Sequence, residues 1–411
     1  MLRANTFALT ALLALLTTIG PLSVDMYLPS LPAIGRELAA TPAQVQLTLS
    51  IYVVGFATGQ IAYGPLSDRH GRRPVLLAAL ALFGVATLAC AFAPSIETLV
   101  IARFLEGLGG SGSVALALAI VRDLYAGPRA ARELSLMAAI MGLAPMVAPL
   151  IGSGLQIGFG WRANFVVLLA IGFVAAAVVW RRLPETLTVP ALEPVSILSV
   201  MRTYRTFLHN RAFLAHLGIV TFGFMGLFAW ISGASFVLQD VYGLSTFEFG
   251  LAFAVGSTGY MIGTILAAGI VTDLGLDRTI GLGAVALAAG GLAMVAAVIL
   301  NLGPAMSLVL PAALYLIGFG LAKPQALAGA MSPFPGHAGV ASSVIGFVQQ
   351  SSAAVIGAVV GHTLGETAWP LASAIAVMGC LSLVTWMISR GTRTREEDRI
   401  TLQVKAGPFT H

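Results

Sequence analysis

An all-α membrane protein with twelve transmembrane helices in two pseudo-symmetric six-helix bundles is the fold class that the sequence predicts. Of its 411 residues, 58% are apolar and only 9% are charged, whereas about a quarter of a soluble domain is charged. So little charge cannot coat a soluble chain of this length. About twelve apolar stretches of 18 or more residues can each cross a bilayer as a helix. The ten-residue alternation of a transmembrane β-barrel is not visible.

The twelve predicted spans follow one another with mostly short connections. The N-terminal apolar run is interpreted as the first span, because no small-residue cleavage site follows a short core as it would in a signal peptide. Cys90 and Cys380 lie within apolar spans and are expected to be packing residues, without a disulfide framework or metal role. The predicted spans are 6–31, 44–66, 75–93, 98–121, 134–157, 163–181, 213–238, 247–272, 279–300, 305–327, 339–363 and 368–389.

The distribution of arginine and lysine predicts that both termini are cytoplasmic. Basic residues concentrate in the connections on one side, from Arg3 to Lys323 and the C-terminal tail, while the opposite connections hold only Arg36 and Arg162. Basic loops face the cytoplasm, so an even number of helices fits this asymmetry. The formal net charge of +5 therefore reflects topology. Nucleic-acid binding is not expected, because the basic residues are divided among short loops.

The longest non-apolar stretch, about 182–212, divides the chain into halves of six helices. Gly64–Asp68 after the second span has a counterpart in Gly269–Asp273 after the eighth. Parallel repeats with a substrate site between them at the membrane midplane are typical of alternating-access transport. The predicted organisation is an N-terminal bundle over 1–185, a cytoplasmic linker over 186–212, a C-terminal bundle over 213–390 and a cytoplasmic tail over 391–411.

An island of glycine and charge, Gly64–Arg73, separates the second and third spans. Gly64 is expected to allow close helix approach. Asp68 is expected to pair with arginines or to face a helix N-terminus. Such a latch would hold the two halves together on the cytoplasmic side; the alternative is a generic positively charged loop. The residues predicted to gate conformation are Gly64, Asp68, Arg69, Gly71, Arg72, Arg122 and Asp123.

Asp25 lies in the outer part of the first span. A carboxylate in hydrocarbon costs on the order of several kcal/mol or neutralises itself by taking up a proton. A group that is protonated on one side of the membrane and deprotonated on the other is what proton coupling requires. Pro21, Pro29 and Pro32 indicate a broken helix whose freed backbone groups face a cavity. The alternative is an aspartate that water solvates near the outer surface.

Arg103 and Glu106 are three residues apart in the fourth span and share one helix face. A buried arginine needs acceptors because it cannot lose its proton; Glu106 is one candidate and Asp25 another. Two alternatives remain open. Arg103 and Glu106 form a static structural pair, or Arg103 exchanges between Glu106 and Asp25 and so links protonation to conformation. With Asp25, these two residues are the predicted proton-coupling group.

Small residues and prolines recur in the fifth span at Gly142, Pro145, Pro149 and Gly152. This pattern bends a helix and lets neighbours approach closely, although glycine and proline are also common in ordinary transmembrane packing. Polar and aromatic residues within other spans are predicted to line a substrate cavity, and each is also typical of helix–helix contacts. The predicted cavity residues are Tyr27, Trp230, Tyr260, Gln325 and Gln349.

From Phe7 to Arg390 the chain resembles the major facilitator superfamily, and within it the bicyclomycin and chloramphenicol resistance group of drug:proton antiporters. The segment around Pro149 and Gly152 is similar to the helix-5 motif of the superfamily's antiporters. The segment around Arg103 is similar to its helix-4 motif, where glutamine usually stands at the position of Glu106. The residues that carry the resemblance are Ser23–Pro32, Gly64–Arg73, Trp161–Phe165 and Pro333–Ser342.

The resemblance implies a proton-coupled antiporter that exports small drugs or related metabolites by alternating access. It implies a multi-pass protein of the bacterial inner membrane, whose partners are a small-molecule substrate, protons and the lipid bilayer, and a monomer. The alternative within this fold is a metabolite importer or uniporter. A membrane enzyme or receptor is disfavoured because no clustered catalytic constellation is visible. No cofactor or metal is expected, and ATP coupling is not expected without a Gly-x-x-x-x-Gly-Lys motif.

Overall fold

The structure is a computed structural model that describes residues 6–125, 127–187, 207–334, 338–365 and 367–393. Within these residues, twelve helical segments are long and apolar enough to cross a membrane. This confirms the predicted all-α membrane fold. The sequence predictions that lie outside the described residues concern Arg3, 188–206 of the linker, 335–337 before the eleventh span, and 394–411 of the tail.

The helices of the first half begin and end close to the predicted spans. A 3-10 turn, Leu28–Ser30, and a short helix, Leu31–Glu37, complete the first span. Ser95 caps the fourth helix by accepting a hydrogen bond from the backbone N–H of Thr98, which satisfies one of the otherwise free donors at a helix start. The six helices are α1 (Phe7–Asp25), α2 (Pro42–His70), α3 (Arg72–Ala91), α4 (Ile96–Leu124), α5 (Gly127–Phe159) and α6 (Arg162–Arg182).

The second half supplies six further helices. The first of them continues into a π-helical turn, Val237–Val241. Two prolines, Pro311 and Pro324, lie inside the tenth helix. The helices are α7 (Arg211–Phe236), α8 (Thr246–Leu274), α9 (Leu276–Ile299), α10 (Met306–Met331), α11 (Ala338–Thr363) and α12 (Trp369–Ile388).

Glycines place α4 against its neighbours in the first half. The position that a Cβ of Gly107 would occupy overlaps the carbonyl oxygen of Tyr52 on α2, and at Gly109 a Cβ would lie 2.5 Å from the backbone nitrogen of Phe83 on α3. Backbones approach this closely only where small residues stand. The contacts hold the buried charged residues of α4 against α2 and α3.

Contacts divide the chain into two compact units. One contains Met1–Val195, Ile231–Ala254 and Ala353–Thr367, and the other contains Ser196–Trp230, Val255–Ser352 and Ala368–His411. Two segments of the second half therefore pack with helices of the first half. The division into bundles over 1–185 and 213–390 stays a prediction about the sequence repeat.

Three local expectations are corrected by the structure. The segment from Gly64 to His70 is the end of α2 rather than a loop, and the chain turns only at Gly71, whose φ of 95° is a left-handed value that glycine adopts without strain. Lys323 lies inside α10 rather than in a cytoplasmic connection. Arg393, predicted in the tail, is buried and forms an ion pair of 2.7 Å with Asp277.

Candidate functional site

Asp25 is the last residue of α1 and is buried, with only 4% of its surface exposed. The helix continues through Pro21. The chain leaves the α-helical path just after Asp25 and enters the 3-10 turn that contains Pro29. The predicted break therefore lies between Asp25 and Pro29. Among the described residues, no side chain forms a salt bridge or hydrogen bond with the Asp25 carboxyl group. It is a buried acid without a partner.

Arg103 and Glu106 form an ion pair with 2.7 Å between Nη1 and Oε2, and neither side chain is exposed. The Thr87 hydroxyl donates to Oε1 of Glu106 over 3.3 Å, and the Cys90 thiol lies 3.5 Å from Oε2. The glutamate thus has three partners from α3 and α4. In this structure Arg103 is paired with Glu106, as the static alternative expects; exchange with Asp25 stays a prediction.

The Arg103 guanidinium also joins α4 to α1 and α2. Its Nη1 donates to the carbonyl of Ser23 over 3.1 Å, and its Cζ lies 4.7 Å and 4.3 Å from the ring centroids of Tyr27 and Tyr52. Such cation–π contacts stabilise a desolvated cation. Its Nη2 has no hydrogen-bond partner in the described part of the chain. Arg103 therefore keeps the two N–H donors of Nη2 uncommitted, and it contacts α1 two residues before Asp25.

Tyr27 was predicted to line the cavity, and the structure gives it another place. Its side chain is fully buried, its ring packs on Arg103, and its hydroxyl lies 2.9 Å from Oγ1 of Thr48. It therefore supports the cation instead of facing open space.

In α5, Gly152 contacts the end of α1 directly. The position that a Cβ of Gly152 would occupy overlaps the carbonyl oxygen of Met26, the residue that follows Asp25. By contrast, a Cβ on Gly142 would meet no described atom within 4 Å. Pro145 and Pro149 lie inside the same helix, and the carbonyl of Pro149 faces α8. The two glycines of the predicted motif thus differ: one is a backbone contact and the other is open.

At the predicted cytoplasmic end, Arg72 connects α2, α3 and α4. Its guanidinium pairs with Asp68, donates to Ser67 Oγ over 2.7 Å, and donates from Nε to Asp123 over 2.9 Å. The predicted partnership of Asp68 with an arginine and the involvement of Asp123 are both present. Every contact of this network lies within one compact unit, so a latch between the two halves stays a prediction.

Glu185 completes this network, and sequence reasoning missed it. Its carboxylate accepts hydrogen bonds from the backbone N–H groups of Arg72 and Arg73, at 2.8 Å and 3.1 Å. A carboxylate at the start of α3 satisfies free N–H donors and favours the positive end of the helix dipole. Gly71 makes room for it, because a Cβ there would lie 2.6 Å from Glu185 Oε2. Gly71 is therefore required twice, for its backbone angle and for its missing side chain.

The remaining predicted gating residues are not drawn together. A Cβ on Gly64 would meet no described atom within 4 Å, so the expected close approach is wrong: no neighbouring backbone in the described residues comes near this face of α2. Arg69 and Arg122 form no ion pair or hydrogen bond with described residues. Both are exposed at helix ends.

On the predicted outer side, hydrogen bonds tie the end of the first span to α7 and its π-helical turn. The Ser235 hydroxyl donates to the carbonyl of Leu28 over 2.6 Å, and the Gln239 amide donates to the carbonyl of Pro29 over 3.2 Å. Both acceptors belong to the break that follows Asp25. The proline-broken segment thus exposes carbonyls that α7 satisfies.

Two further contacts extend this group. The Gln46 amide on α2 donates to the carbonyl of Ser232, and the Ser153 hydroxyl on α5 donates to the carbonyl of Thr246 over 2.9 Å. Polar residues buried between helices usually find such partners. The outer cluster is defined as Leu28, Pro29, Gln46, Ser153, Ser232, Ser235, Gln239 and Thr246.

The predicted cavity residues of the second half lie in the second compact unit. Trp230 is buried, Tyr260 lies in a tilted ring contact with Phe319 at 5.8 Å between centroids, and Gln325 is half-buried. Gln349 is buried, and its Nε2 has no hydrogen-bond partner among the described residues. Within the described residues, no group of three or more His, Cys, Asp or Glu side chains is arranged to hold a metal ion.

Comparison of the chain with protein-family models, curated relatives and solved structures agrees with the membrane fold described above. The family model described as Major Facilitator Superfamily matches residues 13–358. An uncharacterised MFS-type transporter, YdgK, of Bacillus subtilis is 36% identical and covers 93% of both chains. A bicyclomycin resistance protein homolog of Haemophilus influenzae is 28% identical over 95% of this chain and 98% of its own. The solved xylose transporter XylE of Escherichia coli matches with a TM-score of 0.71 at 14% identity, covering 94% and 97%.

Proposed function

Because the chain belongs to the major facilitator superfamily, and is therefore a multi-pass membrane transporter rather than an enzyme, we propose that it is a proton-coupled antiporter. It exports small drugs or related metabolites by alternating access. The name of the Haemophilus relative, a bicyclomycin resistance protein homolog, supports export of antibiotics. The proposed location is the bacterial inner membrane, with both termini cytoplasmic, and the proposed working unit is a monomer.

The unpartnered, buried carboxyl group of Asp25 is the observation that carries the proposal. A buried acid without a counter-ion is stable only when it holds a proton, and it gives that proton up when water reaches it. The nearby cation does not neutralise it, because Arg103 is already paired with Glu106 at 2.7 Å. Asp25 is therefore proposed as the group that loads a proton from the outside and releases it to the cytoplasm.

The position of Asp25 supports coupling between that proton and the conformational change. It precedes Met26, whose carbonyl touches Gly152 of α5, and it precedes the break whose carbonyls bind the outer cluster. A change in charge at Asp25 thus occurs where three helices meet. We propose that the outer cluster is the outer gate, which must separate when the transporter opens outward.

The Arg72 network is proposed as the cytoplasmic gating element. Asp68 and Asp123 hold α2 and α4 to the Arg72 guanidinium of α3, and Glu185 binds the backbone N–H groups at the start of α3. Arginine networks with several carboxylates have discrete arrangements, and this is what an element with two states requires.

Everted membrane vesicles with a fluorescent pH probe test the proposal. With the wild-type chain, adding chloramphenicol to energised vesicles should dissipate part of the proton gradient, as antiport requires. Asp25→Asn should abolish this response while the protein still folds. The control is Asp240→Asn, which changes an exposed aspartate whose pair with Arg36 spans 3.8 Å and is worth little. A wild-type response in Asp25→Asn, or substrate uptake without proton movement, would contradict proton-coupled export through Asp25.

A further inference from the structure

We infer that Lys323 forms a positively charged subsite that binds an anionic group, such as a carboxylate, on an aromatic transported molecule. The inference rests on the proposed function, because it names a substrate class for that transporter. Lys323 lies inside α10, where Pro324 follows it. Its Nζ lies 6.0, 5.7 and 5.4 Å from the ring centroids of Phe224, Tyr260 and Phe319. All four residues belong to the second compact unit.

A lysine at this position is unusual for its surroundings. Charged side chains within membrane-spanning helices are costly, and those that persist pair with one another or mark a substrate or ion pathway. No described carboxylate lies within salt-bridge distance of Lys323. Asp277, an acid of the same unit, is paired with Arg393 at 2.7 Å. Pairing within the protein therefore does not explain the charge.

The aromatic rings hold the ammonium group without consuming it. Attraction to ring faces favours a cation at these distances, but the rings leave the three N–H donors of an ammonium available to stronger acceptors. Lys323 is only half-buried, so its donors are not sealed inside packing. By contrast, Arg103 in the first unit is fully buried and its charge is neutralised by Glu106.

The chemistry of the cluster selects one ligand class. A carboxylate meets the ammonium through a charge-assisted hydrogen bond, while an aromatic body stacks on the faces of Tyr260 and Phe319, which are already arranged 5.8 Å apart. Amphipathic aromatic anions and zwitterions therefore fit the subsite better than their neutral analogues of the same size.

Calorimetric binding to the full purified chain tests this with two probes, chloramphenicol hemisuccinate and its methyl ester, which differ by one carboxylate. The wild type should bind the anion about ten-fold more tightly than the ester, the factor expected for one ionic hydrogen bond. Lys323→Met should remove that preference, while affinity for the ester stays within about two-fold. Lys323→Arg should retain it. Lys323→Gln serves as a second neutral variant if the methionine variant does not fold.

A matched control is Arg211→Met, which removes a cation from an exposed position at the start of α7 and should leave both affinities unchanged. Equal binding of the two probes by the wild type, including binding of neither, overturns the inference. So does a preference for the anion that survives in Lys323→Met. A Lys323-dependent preference without proton antiport in vesicles would leave the subsite standing and refute the proposed function instead.

Discussion

Replacing Glu106 with glutamine tests whether this residue is the structural counter-ion of Arg103. Glutamine keeps the size of the side chain and restores the residue usual in the related helix-4 motif, but it leaves the arginine charge buried without an anion. Breaking a buried ion pair by removing one partner costs about 3–5 kcal/mol. The amide oxygen of glutamine still accepts from Arg103, and the amide N–H faces the Thr87 hydroxyl, which can accept from it, so we expect the lower end, about 3 kcal/mol.

Thermal unfolding followed with a thiol-reactive fluorophore measures the loss of stability in Glu106→Gln. Once the half-buried Cys380 is replaced with serine, Cys90 is a suitable reporter because it is buried, with its sulfur 3.5 Å from Glu106, and becomes reactive only on unfolding. The matched control is Glu97→Gln, the same change at an exposed position in the first turn of α4, which should lower the stability far less, because it removes only a surface charge at a helix start. The double variant Arg103→Met with Glu106→Gln should lose less stability than the two single variants lose together, because no unpaired charge remains.

A Glu106→Gln variant as stable as Glu97→Gln would refute the structural role of the pair. The same variant also separates the two alternatives for Arg103. Exchange with Asp25 predicts a changed proton stoichiometry or loss of cationic substrates, with neutral substrates still exported. Unchanged transport and pH dependence, together with lower stability, would leave Glu106 as a static counter-ion.

Three further perturbations use contacts that the structure defines. Gly152→Ala should reduce transport more than ten-fold, because its Cβ overlaps the Met26 carbonyl and overpacking costs about 1–3 kcal/mol. As the control, Gly142→Ala adds a Cβ in open space and should keep the transport rate within two-fold of the wild type. Equal effects of the two substitutions on transport would contradict the contact. Labelling of cysteines introduced on each side, with an impermeant thiol reagent, tests the gates. Ser235→Ala should raise labelling on the outer side about five-fold, because it removes the hydrogen bond from Ser235 to the Leu28 carbonyl, worth about 1 kcal/mol. Asp68→Asn should raise labelling on the inner side. Unchanged labelling in either variant argues against the corresponding gate.

Much of the fold could be predicted from the sequence because lipid imposes length and composition on every span. The prediction failed at helix ends, where charge misled it. Gly64–His70 reads as a loop by composition, yet this segment is the last part of α2, where Asp68 pairs with Arg72 at the start of α3. Lys323 falls inside the predicted span 305–327, yet the count of basic residues placed it with the cytoplasmic connections, because composition cannot show that aromatic rings from two other helices surround it.

The candidate site could also be predicted in part, because some of its residues stand out in the local sequence and others do not. Asp25, Arg103 and Glu106 stand out in the sequence because a charge in an apolar span is rare, and the three-residue spacing already indicated the ion pair. Their surroundings could not be predicted, since Ser23 and Tyr52 reach Arg103 from other helices. Glu185 binds residues more than a hundred positions earlier, and no local pattern signals such a partner. The only local indication of an acidic partner was the position of Gly71 beside Arg72 and Arg73 at the start of α3.

The Arg72 network has a consequence for the order in which the protein is made. On the proposed topology, Arg72 helps to retain its loop in the cytoplasm while the second and third spans enter the membrane. At that moment Asp123 and Glu185, which later bind it, have not yet emerged from the ribosome. Of its acidic partners, the arginine thus has only Asp68 available when it directs insertion, and the network is complete only after the sixth span has been made. One side chain serves first as a topological signal during biosynthesis and afterwards as a fastener of the finished half.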